Sequence, residues 1–171
     1  MRRRTRNTIL LALACAALGA LALLQVQHER AAMSDPLTAI DIAAIRTVQV
    51  ECRGCAVRRY ERRADGWMQV SPAPAVAVPD EMVTRLLAIA HAPVRTRHAS
   101  GALDPRRIGL DPPQALLHLD AETLRFGTTD AIHGDRYVAT GDGIALVPDR
   151  FSAWLFARPA AGGDASDGAK R

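Results

Sequence analysis

Thr47-Val48-Gln49-Val50-Glu51-Cys52 (TVQVEC) alternates apolar and polar side chains at every second position. Successive side chains of a strand point to opposite faces, so the run predicts a half-buried strand. Arg53-Gly54 then reads as a turn and Val57 to Arg63 as a second strand, its charges forming a solvated face. Ala64-Asp65-Gly66 is a hairpin signal leading into Trp67-Met68-Gln69-Val70. Links this short join antiparallel neighbours, because a parallel pair needs a crossover of a dozen residues or more. The same logic recurs further on. Leu116 to Leu119 and Thr123 to Phe126 flank a turn at Asp120 to Glu122. Arg136 to Thr140 and Ile144 to Val147 flank Gly141-Asp142-Gly143.

Between these strand groups, Pro72, Pro74 and Pro79 predict an extended connection that cannot donate regularly to a ladder. Glu81 to His91 predicts a helix: Asp80 is placed to cap it, and Val83, Leu86, Leu87 and Ala90 share one face. Pro93 ends it. After a polar loop, Asp104 to Gly109 reads as one capped helical turn, with Pro105 at its first position and Gly109 beyond its end. Leu110 to Pro113 is expected to run extended, while Gly109 and the prolines rigidify a chain reversal that delivers Leu116 to its sheet. Asp149 is expected to cap a last helix presenting Phe151, Trp154 and Leu155 to the core. With aromatics at only 4% of the chain, Trp67 and Trp154 are both assigned to packing, and Tyr137 to a half-buried strand position. Leu37 to Ile45 reads as a helical turn or an extended lead-in.

The fold class expected is therefore α+β: an N-terminal transmembrane helix, then a small antiparallel-sheet domain with two or three short helices. Val78-Pro79-Asp80 opens the first helix and Val147-Pro148-Asp149 the last, an echo that suggests two ββ(β)α halves. The membrane assignment rests on Thr8 to Val26 (TILLALACAALGALALLQV), an uncharged run of nineteen residues. As a helix it measures about 28 Å, close to the roughly 30 Å hydrocarbon core of a bilayer. Arg2, Arg3, Arg4 and Arg6 precede it and should stay cytoplasmic. The expected organisation is a basic cytoplasmic end at 1–7 and an anchor in the bacterial inner membrane at 8–26. A stalk follows at 27–36, then a periplasmic domain at 37–158 and a disordered tail at 159–171. Two other readings of the apolar run stay open: a signal peptide cleaved after Ala20 or Ala22, and a lipoprotein modified at Cys15.

Charge limits the partners. The four arginines ahead of the anchor supply the whole formal charge of +4, leaving the outer domain neutral, with Arg interleaved among Asp and Glu. That pattern offers no nucleic-acid groove. The partners expected are the inner membrane, through the N-terminal helix, and a protein of an envelope complex.

Cys52-Arg53-Gly54-Cys55 is the one stretch that invites enzymatic chemistry. The pair reads as a structural disulfide across a tight turn, as a redox-active dithiol, or as unpaired thiols. Ala56, Val57, Tyr60 and Ala64 fall near helical spacing, which would suit the redox context. The histidines show no ligand spacing, and two cysteines fall short of a zinc site. No catalytic, cofactor or metal residue is assigned.

Taken together, Asp65-Gly66-Trp67, the helix Val83 to Ala90, Gly109-Leu110-Asp111-Pro112-Pro113, Leu124-Arg125-Phe126-Gly127 and Arg136-Tyr137-Val138 resemble, in that order, the membrane-anchored bacterial domain of unknown function 4340. The resemblance spans residues 37–156. It implies an auxiliary extracytoplasmic part of an ABC-type transport or gliding-associated system, and it supplies no catalytic residues to carry over. The chain differs from larger relatives in holding one copy of the domain and in its C-x-x-C. The reading that follows is a non-catalytic accessory or interaction module; the alternative is a membrane-tethered thiol–disulfide oxidoreductase using Cys52 and Cys55.

Overall fold

Val48 and Val50 are wholly buried, while Thr47, Gln49 and Glu51 are half-buried on the opposite face. The computed structural model describes Leu18, Gly19, Leu21 and residues 35–157. Among these no helix is long and apolar enough to cross a membrane. The basic end, nearly all of the 8–26 run, most of the stalk and the tail lie outside the described residues. Contacts divide the chain into Met1–Asp35 and Pro36–Arg171, and the second unit carries the sheet.

That sheet has nine strands, with every neighbouring pair antiparallel. They are β1 (Thr47–Cys52), β2 (Arg58–Arg63), β3 (Gly66–Ser71), β4 (Val76–Val78), β5 (Thr96–His98), β6 (Ala115–Leu119), β7 (Glu122–Thr129), β8 (Asp135–Thr140) and β9 (Gly143–Pro148). Across the sheet they run β4-β3-β2-β1-β6-β7-β8-β9-β5. Strands β1 to β4 thus form one meander and β6 to β9 another, joined where β1 pairs with β6 from Val48↔Leu119 to Cys52↔Ala115. The domain is α+β and mostly sheet.

Helix α1 (Asp80–Leu87) follows the first meander and tightens into a 3₁₀ turn at Ala88–His91; α2 (Ser152–Leu155) follows the second. Val83, Leu86, Leu87 and Ala90 are buried, as their spacing predicts. With Tyr60, Trp67, Leu117, Leu124, Phe126, Val138, Phe151 and Leu155 they make one continuous core. Each of the larger of these side chains contributes about 1.5–3 kcal/mol by leaving water. Leu37 to Ile45 takes the extended alternative with a turn at 42–44. Leu37 and Thr38 amides donate to the Ala92 and Ala90 carbonyls, so the lead-in straps the helix end.

Several local expectations are corrected. The proline-broken connection contains β4, and the polar loop after Pro93 contains β5. Each strand is only three residues long; β4 folds back onto β3 just before it, and β5 pairs with β9, far along the chain. Asp80 lies inside α1, whose N-cap is Pro79. Its carboxylate instead accepts the Trp67 amide at 3.4 Å. Asp104 to Gly109 is a hydrogen-bonded turn rather than a helix, although the Asp104 carboxylate does accept the Arg106 amide. Leu110 to Pro113 is not extended: the two residues bridge each other across a tight reversal. Trp154 is 36% exposed, because α2 is a single turn that presents Phe151 and Leu155 inward and leaves Trp154 outside. Its ring carries the Arg85 guanidinium at 5.2 Å. Arg58 is not solvated but 7% exposed, donating to the Trp154 and Leu155 carbonyls at the end of α2. Arg59, Glu61 and Arg63 do form the exposed, ion-paired face.

Candidate functional site

Cys52 ends β1 and Cys55 precedes β2, so the pair sits on a reversal between antiparallel strands. The Cys55 amide donates to the Cys52 carbonyl at 3.1 Å, Gly54 takes φ +79°, and the Cα atoms lie 5.3 Å apart, within disulfide reach. The residues at helical spacing after Cys55 enter a strand, so no helix begins at the pair to stabilise a thiolate there. Pro112 and Pro113 face Cys52 and Arg53 across a shallow groove of about 360 Å³. A bridge closing so short a loop removes little unfolded-chain entropy. Replacing both cysteines by Ser is expected to cost about 1–2 kcal/mol and to leave the fold intact by circular dichroism. A variant that keeps full stability yet loses its biological activity would mark the pair as redox chemistry.

Beside this groove, over the next strands of the sheet, lies a larger cleft of about 540 Å³. Its floor is Ala139 and Ile144 of β8 and β9, and Arg125 of β7 stands at one side. The segment between β5 and β6 closes it with Ser100, Pro105, Leu110 and Asp111. Two glycines set how near that segment comes. A Cβ on Gly127 would stand 2.2 Å from the Ile108 carbonyl oxygen, and one on Gly143 2.6 Å from that of His98. Thr128 fixes the approach by donating its amide to Ile108 at 2.8 Å, and Arg125 Nη2 donates to the Leu110 carbonyl at 2.7 Å. The sequence marked Gly109 to Pro113 as a reversal but gave no sign that it roofs a cleft, since the sheet face beneath it comes from three other strands.

A third grouping joins Thr123, His118 and Glu51 on the outer face. Thr123 Oγ1 lies 3.0 Å from His118 Nδ1, and His118 Nε2 lies 3.6 Å from Glu51, which also accepts Gln49 Nε2 at 2.7 Å. The order resembles hydroxyl, base and acid. However, β6 and β7 are bonded to neighbours on both sides, so their amides are committed to ladders and cannot form an oxyanion hole. It is a cross-strand polar cluster.

Asp130, His133 and Asp135 also converge, with ligand atoms within 4.8 Å of one another, a grouping that histidine spacing alone did not reveal. Both carboxylates are already engaged. Asp130 accepts the amides of Ile132, His133 and Asp135, and Asp135 pairs with Arg95 at 2.8 Å. The His133 amide, foremost, with those of Asp135 and Ile132 and the nearby His133 ring, holds the Asp130 carboxyl below the usual carboxylate range against a smaller opposing effect of desolvation. A depressed folded pKa stabilises above the unfolded value and is lost as pH falls through the folded one. The β7–β8 loop is therefore expected to loosen only below the ordinary carboxylate range. Carboxyl-carbon NMR titration checks this: an Asp130 midpoint at or above that of an exposed aspartate would refute it.

Comparison of the chain with protein-family models, with curated proteins and with solved structures finds no match, so the geometry and the sequence carry the functional reading.

Proposed function

We propose that this chain is a membrane-anchored, extracytoplasmic interaction module, a non-catalytic accessory part of a bacterial envelope complex. Residues 8–26 hold it in the inner membrane with the N-terminus in the cytoplasm. The observation that carries the reading is where the domain leaves apolar surface uncovered. Val76 of edge strand β4, Met82 on α1 and Trp154 on α2 are all exposed. Met82 touches the Tyr60 hydroxyl at 4.0 Å, Val76 pairs with Gln69, and Gln69 pairs with Tyr60, so the residues gather on the helix-bearing side beside β4. A strand edge flanked by apolar side chains is a docking surface for another chain. Leu18 and Leu21, helical and exposed, suit a lipid-facing segment.

The finer fold reading belongs to the same proposal. Each half is a four-stranded meander followed by a helix, opened by Val-Pro-Asp in both cases, so the ββ(β)α echo is read as a duplicated ββββα unit. The resemblance to the domain 4340 family extends the role to an ABC-type transport assembly.

Purification of the full chain from native membranes tests the reading. A partner retained by the native protein should be lost from Val76→Glu/Met82→Glu, whose exposed positions leave the melting temperature nearly unchanged. Equal recovery with both proteins would overturn it. So would a Cys52 or Cys55 thiol that alkylates with a pKa well below about 8.5, which would favour the oxidoreductase instead.

A further inference from the structure

The cleft over β7, β8 and β9 is held in shape by fixed contacts on either side. Its roof is held at both ends: β5 pairs with β9 from Thr96↔Leu146 to His98↔Ile144, and Ile108 is bonded to Thr128 by amide and hydroxyl. Gly127 and Gly143 allow these approaches only by lacking a side chain. The space between the two fastenings is therefore preformed, and it falls in the size range of small-molecule sites, roughly 300–1,000 Å³.

Its chemistry is mixed in an ordered way. Ala139, with the edge of the largely buried Ile144 beside it, offers an apolar floor. Arg125 and Asp111 bring opposite charges to the same cleft and are not ion-paired to each other. Arg125 donates one N–H to the carbonyl of Leu110, the residue before Asp111. Among the described residues no carboxylate pairs with it, although a guanidinium has five N–H donors. Asp111 is engaged by Arg106 at 3.5 Å, with both side chains more than half exposed. Such a pair contributes little and is readily exchanged. A pure anion entering this cleft would meet Asp111, and a pure cation would meet Arg125. A ligand carrying both charges beside an apolar group satisfies all three surfaces.

We propose that this cleft binds a free α-amino acid with an aliphatic side chain, its carboxylate on Arg125, its ammonium on Asp111 and its side chain over Ala139 and the edge of Ile144. The site is separate from the β4 docking side and does not depend on it.

Isothermal titration calorimetry of the full-length chain in detergent, with L-leucine as the probe, tests this. Saturable binding is expected, weakened about tenfold or more for isocaproate, which lacks the ammonium, and for isoamylamine, which lacks the carboxylate. Glycine, lacking the side chain, should also bind at least about tenfold more weakly. Asp111→Asn and Arg125→Gln should each lower leucine affinity about tenfold. Ala139→Leu, which fills the floor, should remove binding without lowering the melting temperature by more than a few degrees. Because Arg125 also bonds the roof, Asp111→Asn is the deciding variant: it keeps the side-chain shape and changes only the charge. No saturable heat with L-leucine up to about 10 mM would overturn the proposal. So would isocaproate or isoamylamine binding as tightly as leucine, or undiminished binding by Asp111→Asn.

Discussion

Arg136→Met is expected to destabilise the domain by about 3–5 kcal/mol. Arg136 is 8% exposed, and its guanidinium is almost fully engaged. Nε and Nη2 donate to Asp149 at 3.0 and 2.7 Å, Nη2 also to Ser152 Oγ at 3.0 Å, and Nη1 to Gln114 at 3.1 Å and to the Gly127 carbonyl. It lies 5.1 Å from the centroid of the Phe156 ring. Through these contacts one side chain ties β8 to the start of α2, to the entry of β6 and to the glycine under the cleft roof. Removing it strands the largely buried Asp149 carboxylate, with only the Ser152 hydroxyl still donating at 2.7 Å. An uncompensated buried charge, rather than the lost pair itself, is what makes the change costly. Chemical denaturation followed by near-UV circular dichroism measures it. Arg136→Met/Asp149→Leu should recover much of the loss, since an apolar pair of similar volume is often tolerated in place of a buried ion pair. A loss below about 1 kcal/mol for Arg136→Met alone would mean that water or another donor reaches Asp149.

Trp67→Ala should cost a comparable amount, about 3–5 kcal/mol. Trp67 is 5% exposed, paired across β3 with Arg62 on one side and Val78 on the other, and packed into the core shared with α1. Truncation leaves a cavity beneath a helix only two turns long, which can settle into it only in part. Trp154→Ala provides the internal contrast. That ring is exposed and carries only the Arg85 contact, so its loss should stay within about 1 kcal/mol. Equal effects from the two substitutions would contradict the burial that separates them.

Those two tryptophans mark where reading from sequence stops. Trp67 follows Ala64-Asp65-Gly66, a turn that fixes its register, so its inward direction follows from strand alternation. Trp154 sits in a four-residue helix, too short to establish a face, and which side is buried depends on what packs there. Arg58 and Arg59 make the same point. Both look solvated in a run of charges, yet the first reaches the carbonyls of α2, nearly a hundred positions away.

The candidate sites divide likewise. The Cys52–Cys55 turn was legible because both partners lie within one reversal. The amino-acid cleft was not. Its roof and floor come from segments separated along the chain, and nothing local in Arg125 or Asp111 distinguishes them from other surface charges. The Asp130 loop was missed because its ligand-like atoms are grouped by a turn rather than by regular spacing.

By itself the sequence determined the antiparallel hairpins, the burial of Val48 and Val50, a helix within Glu81 to His91 with its buried face, and the α+β class. Each rests on turn chemistry or periodicity within a dozen residues. Only the tertiary structure decided that β4 and β5 exist, that β1 pairs with β6 to join two meanders, that Trp154 stays outside and that the segment before β6 roofs a cleft. Three-residue strands carry too little periodicity to announce themselves, and strand partners are chosen by non-local packing.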